Sequence, residues 1–168
     1  MFLLDDAASG RTTVVTSASD LTAASHCEFA YLRGLDAKLG RVDAAQAEPD
    51  PMYERTSRLG DEHEHRVLQR YREQHGTGVV EIARPDRMER DAIMAVVADT
   101  ERAFDEGATV VFQATFFDED AGEEHGDVAF IGFADFIVRQ GDGSYLVQDT
   151  KLARTARVTA LMQLAAYA

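Results

Sequence analysis

Phe130-Ile131-Gly132-Phe133-Ala134-Asp135-Phe136-Ile137-Val138, followed across Gly141-Asp142-Gly143 by Tyr145-Leu146-Val147-Gln148-Asp149-Thr150-Lys151, is the stretch that decides the fold. Both faces of the first run are apolar, with Ile131, Phe133 and Ile137 on one side and Phe136 and Val138 on the other. It therefore reads as a central strand covered twice. Asp135 interrupts the first of these faces, where an ionised carboxylate costs several kcal/mol unless it is paired or binds a cation. A three-residue turn at 141–143 pairs Gln140 with Ser144 and counts outward to Asp135 directly opposite Asp149; a two-residue turn puts them on opposite faces. With the three-residue turn, Tyr145, Val147, Asp149 and Lys151 share a face with Phe133, Asp135 and Ile137.

Working outward, β-branched and aromatic runs predict three consecutive strands over 109–117, 129–139 and 144–151. An acidic loop, 118–127, joins the first two and reads as a solvated connector. Upstream, 12–16 is β-prone. Ser17 or Ser19 then caps a helix over 20–35 with an apolar stripe of Leu21, Ala24, Phe29 and Leu32, Asp20 complementing its dipole. A polar linker spans 44–51. A second helix covers 52–75, stopped by Gly76-Thr77-Gly78, with Leu59, His63, Val67 and Tyr71 in one row. A short strand at 79–83 precedes Pro85, and a third helix over 87–106 ends at Gly107. A final helix starts near Thr159 and stops uncapped at Ala168, which reads as the end of a fragment. The organisation expected is one mixed α/β domain over 1–168, with an N-terminal helical subregion at 1–50 packed on a three-stranded core at 52–168.

The 168 residues suffice for a single hydrophobic core. The longest apolar runs are a few residues, too short for a transmembrane helix, and Asp5-Asp6 cuts off any signal peptide, so a cytoplasmic protein with no membrane partner is expected. A single cysteine, Cys27, excludes an internal disulfide. Seventeen basic against 30 acidic residues give a net charge of −13, which argues against bulk electrostatic grip on nucleic acid. Carboxylates that hold metal ions are compatible with it.

Two carboxylates facing each other repel unless a divalent cation lies between them, and Lys151 brings an ammonium to the same spot. Carboxylate, carboxylate and amine suit hydrolysis of a phosphodiester: a metal to activate water, and a cation beside the attacked phosphate. The same trio also reads as an ion pair of Lys151 with either aspartate at a strand end. His63 and His65 lie about 200° apart around a helix, so one faces the core, and the row with Leu59, Val67 and Tyr71 selects His63. An inward His63 reads as a third metal ligand or as a core histidine bonded to a carbonyl. His63-Glu64-His65 is not a His-Glu-x-x-His zinc motif.

The ordered set Gly60-x-x-His63-Glu64, Gly132-x-x-Asp135, Asp149-Thr150-Lys151-Leu152-Ala153 and Gln163-x-x-x-Tyr167 closely resembles the RecB-like nucleases of the PD-(D/E)XK superfamily, from about Ser17 to the end. The resemblance implies a restriction-endonuclease-like core of helix, three strands, helix and strand, with this chain ending inside the second helix, before the last core strand. It implies that His63, Asp135, Asp149 and the Thr150 carbonyl coordinate Mg²⁺ or Mn²⁺, the imidazole favouring Mn²⁺. It further implies that Lys151 positions the water or stabilises the pentacovalent phosphate, and that Gln163 and Tyr167 brace the site and touch the DNA backbone. Cys27 occupies the place of a cysteine that, in many members, joins three later ones around a 4Fe-4S cluster; alone it reads as a small buried hydrophobe. The implied activity is metal-dependent DNA hydrolysis, as an exonuclease on single-stranded ends in DNA repair, in a chain joined to a helicase or second nuclease module. A nuclease-fold binding or scaffolding module without catalysis is the rival, and a carboxylate-and-metal enzyme built on residues 61–65 is another.

Overall fold

The computed structural model describes residues 1–6, 10–45, 50–122, 127–150 and 158–167. Lys151, Leu152 and Ala153 lie outside the described residues. So do parts of the linker and of the acidic loop.

The chain is mixed α/β and its sheet has six strands rather than three. They are β1 (Phe2–Asp6), β2 (Arg11–Ser17), β3 (Val79–Glu81), β4 (Val110–Asp118), β5 (Val128–Arg139) and β6 (Tyr145–Gln148). The helices are α1 (Ala18–His26), α2 (Glu28–Lys38), α3 (Pro51–His75), α4 (Arg90–Asp105) and α5 (Val158–Ala165). The N-terminal subregion is thus not purely helical: β1 and β2 form an antiparallel ribbon, and β2 joins the main sheet in parallel with β5, Val14 beside Val128 and Ser17 beside Ile131. β1 is an edge strand of the sheet.

The predicted first helix is two helices. Its backbone breaks at Cys27, which is extended (φ −159, ψ 99), ends α1 and caps α2 by accepting a hydrogen bond from the Ala30 amide. The apolar stripe does not reach the core: Leu21, Phe29 and Leu32 are exposed, and Phe29 is 76% so. Nothing buried therefore rewards a continuous helix. Cys27 is exposed rather than a buried hydrophobe. Ser17 is the N-cap of α1, and Asp20 returns the contact by accepting from the Ser17 amide at 2.9 Å.

α3 begins at Asp50, whose carboxylate accepts from the Met52 amide, with Pro51 in the first turn. It packs through Leu68, with Val67 and Tyr71 beside it, on Val110, Phe112 and Phe136. Its buried stripe is centred on Leu68, one position round from the expected row, and Leu59 is exposed. α4 buries Ile93, Val96, Thr100 and Ala103, an i, i+3, i+7, i+10 pattern. Thr100 Oγ1 accepts the Thr115 amide at 3.0 Å, which satisfies a buried strand donor.

The β5–β6 hairpin has the three-residue turn, with Gly143 in the left-handed region (φ 88) and Gln140 N–H donating to the Ser144 carbonyl at 2.7 Å. The ladder pairs Arg139 with Tyr145 and Phe136 with Gln148. Extending it by one residue brings Asp135 opposite Asp149.

Candidate active site

β4 occupies one edge of β5 along most of its length, from Phe130 to Val138. The other edge is shared end to end: β2 pairs only with Val128 to Ile131, and β6 only with Phe136 to Arg139. Residues 132 to 135 of β5 lie between these two ladders, at a point where neighbouring strands part. A cavity of about 310 Å³ lies there, lined by Ser17 and Ser19 at the start of α1, by Asp135 and Asp149, and by Gln163 and Tyr167 of the closing helix and its end.

Four of the sequence-predicted residues thus meet around one space, and Thr150 joins them through Asp135. Its amide donates to Asp135 Oδ2 at 3.0 Å and its hydroxyl at 3.3 Å. The side of Thr150 that touches the site is therefore its N–H and hydroxyl. The Asp135 and Asp149 carboxyls hydrogen-bond each other, and Oδ2 of Asp149 is sealed from solvent. Burial, that hydrogen bond, and the negative charges of Asp149 and Glu64 push Asp135 from 3.8 up to about 7, against the opposing pull of the Thr150 amide. Two facing acids without a cation share a proton.

Tyr167 donates its hydroxyl to the Phe133 carbonyl at 3.2 Å, on the strand edge that neither β2 nor β6 covers. Its ring lies on Gly132, where an added Cβ would sit 2.7 Å from Tyr167 Cε1. Gly132 is thus required by close approach. Burial raises the Tyr167 pKa, and the charges of Asp135 and Asp149 add to that.

His63 is half-buried on α3 and does not line the cavity. The α3 acid whose charge reaches Asp135 is its neighbour Glu64, one step of about 100° round the helix. Glu64 accepts from Gln113 Nε2 at 3.3 Å, and Gln113 Oε1 accepts from Arg84 Nε at 3.2 Å. Sequence reading missed Arg84 and Gln113, and quoted Glu64 in the Gly60-x-x-His63-Glu64 set without giving it a role. Arg84 sits in an Ala-Arg-Pro loop after β3, and its guanidinium stacks 4.1 Å from the Phe133 ring centroid and lines the cavity. Gln113 has φ 57, a conformation that costs a non-glycine residue about 1–2 kcal/mol. Strain of that kind concentrates at functional sites.

Among the described residues no group of three His, Cys, Asp or Glu side chains is arranged to hold a metal ion. The facing pair nevertheless suits a hard divalent cation, which takes one or two carboxylates and keeps several waters. A larger hollow of about 800 Å³ lies elsewhere, but its cations Arg11 and Arg90 are paired with Asp127 and Glu119. No helix among the described residues is long and apolar enough to cross a membrane. Comparison of the chain with protein-family models, curated proteins and solved structures finds no match.

Proposed function

We propose that this chain is a metal-dependent DNA nuclease domain with a PD-(D/E)XK-type core, hydrolysing phosphodiester bonds at single-stranded ends. The observation that carries this is the Asp135–Asp149 pair, two carboxyls in hydrogen-bond contact where β2 and β6 part. Acids are brought together at such a cost in desolvation and repulsion when a cation replaces the proton between them. Mg²⁺ or Mn²⁺ bound there supplies Lewis acidity and a water of lowered pKa.

In this reading Asp135 and Asp149 hold the ion. The Thr150 amide fixes the Asp135 carboxylate, its carbonyl serving as a further ligand. Tyr167 and Gln163 hold the closing helix over the strand edge and meet the DNA backbone. Lys151 orients the water or stabilises the pentacovalent phosphate. The third protein ligand comes from α3, and His63 and Glu64 compete for that role. A 4Fe-4S cluster would need three cysteines besides Cys27 from outside this chain. A helicase or second nuclease module would add to the DNA grip of a chain whose net charge is −13.

The test is hydrolysis of labelled DNA with Mn²⁺ by the wild type, Asp149→Asn and Lys151→Ala. Loss of cleavage in both variants supports the proposal; equal cleavage in all three refutes it. The rival is a nuclease-fold scaffold without catalysis that keeps the same acidic pair. It predicts no cleavage by the wild type even when Mn²⁺ binds.

A further inference from the structure

We infer that Arg84 is a phosphate-binding residue of this site, a built anion fork that receives the phosphodiester next to Asp135 and Asp149. The inference deepens the nuclease reading and rests on it. Three independent restraints hold the guanidinium. Its backbone lies between buried Ile82, whose amide extends the β3–β4 ladder by donating to the Phe112 carbonyl at 3.0 Å, and buried Pro85. Pro85 also keeps Arg84 itself out of helical conformation. Its plane stacks on Phe133, and its Nε is tied to Gln113.

Gln113 is in turn held by Glu64, at the price of a left-handed backbone. The two terminal nitrogens, Nη1 and Nη2, make no hydrogen bond or ion pair among the described residues. A guanidinium with Nε and its face occupied presents those two nitrogens as a planar fork, the geometry that matches two phosphate oxygens. Arg84 lines the same cavity as Asp135, Asp149, Gln163 and Tyr167.

Charge explains why such a group is needed. Glu64, Asp135 and Asp149 make the surroundings of the cavity acidic, and an incoming phosphate meets repulsion from all three. Partial burial lowers the Arg84 pKa, while the charges of Glu64 and Asp135 oppose that, so the group stays a cation placed among anions. It offsets the repulsion at the point where a scissile phosphate would enter.

The experiment measures equilibrium binding of a fluorescent oligothymidylate to the 168-residue chain, with Ca²⁺ in place of Mn²⁺ and over a series of salt concentrations. Arg84→Gln is expected to bind about tenfold more weakly, the worth of a charge-assisted contact, and to flatten the salt slope by about 0.7, one phosphate contact on a single strand. Arg84→Lys keeps the slope and loses part of the affinity, because charge survives and the fork does not. Unchanged affinity and slope in Arg84→Gln, or no binding by the wild type, overturns the inference. A thermal midpoint equal to the wild type's separates a lost contact from a lost fold; if Arg84→Gln unfolds, the slope and affinity of Arg84→Lys decide. The nuclease reading fails by a different sign: intact DNA after incubation of the wild type with Mn²⁺.

Discussion

Replacing Asp135 by Asn isolates the cost of the facing acids. The native carboxyl is pushed from 3.8 up to about 7. Between about pH 4 and about pH 7 the folded chain keeps a proton that the unfolded chain has already lost, so stability falls as pH rises through that window and levels off above it. At about 1.4 kcal/mol per unit, the whole window holds about 4 kcal/mol, an upper bound because Asp135 keeps partial solvent access. The introduced amide can still accept from the Thr150 amide and donate to Asp149, so geometry survives while the titration disappears. The assay is urea unfolding of wild type and Asp135→Asn in EDTA at several pH values. The variant should gain on the wild type progressively from about pH 4 to about pH 7, then fall behind when Mn²⁺ is added, because the cation stabilises only the intact pair. A stability difference independent of pH would refute the shared-proton pair.

Gly132→Ala should displace the Tyr167 ring, whose Cε1 would lie 2.7 Å from the new methyl, and cost about 1–3 kcal/mol of local stability. Faster hydrogen exchange at residues 158–167 would be the readout, and unchanged exchange would count against the close approach. Gln113→Gly should leave stability equal or raise it by about 1 kcal/mol through relief of the positive φ, yet weaken oligonucleotide binding, since Arg84 loses its tether; a large loss of stability in urea unfolding would contradict the strain. Tyr71→Phe removes a 2.6 Å hydrogen bond to Gln148 Oε1, which ties α3 to β6 beside Asp149. It should cost about 1 kcal/mol in the same unfolding assay, and no change would show that water replaces the hydroxyl.

Local signals were legible where one short-range rule decided a geometry. The Gly-Asp-Gly turn fixes the parity of the hairpin, so the Asp135–Asp149 juxtaposition follows from counting. The Gly76 and Gly107 stops were equally readable. What escaped was non-local. β2 pairs in parallel with β5, more than a hundred residues away, and no periodicity in 11–17 announces a parallel partner. The break at Cys27 has neither Gly nor Pro to mark it; the helix divides because Phe29 and Leu32 find no core. On α3 the apolar residues admit two rows 100° apart, and packing of Leu68 against Phe136 selects the one that carries Glu64 toward Gln113.

The same division explains the makeup of the candidate site. Its acids sit on a hairpin whose register is local, so they can be recognised in sequence as a motif. Its surroundings come from elements that meet only in the folded chain: the parting of β2 and β6 opens the strand edge, and a loop after β3 supplies Arg84. Such a site can keep its acidic pair while the cation that balances it is drawn from whichever loop lies near. Arg84 has no motif because nothing in its own segment needs to be an arginine. The need arises from Phe133, which offers a ring, and from Gln113, which offers a carbonyl oxygen. Both belong to strands whose other duties are to pack a core. A charge placed by such borrowed contacts acts only while β3, β4 and β5 stay in register. Binding of phosphate and integrity of the sheet are thereby coupled through the Phe133 and Gln113 side chains.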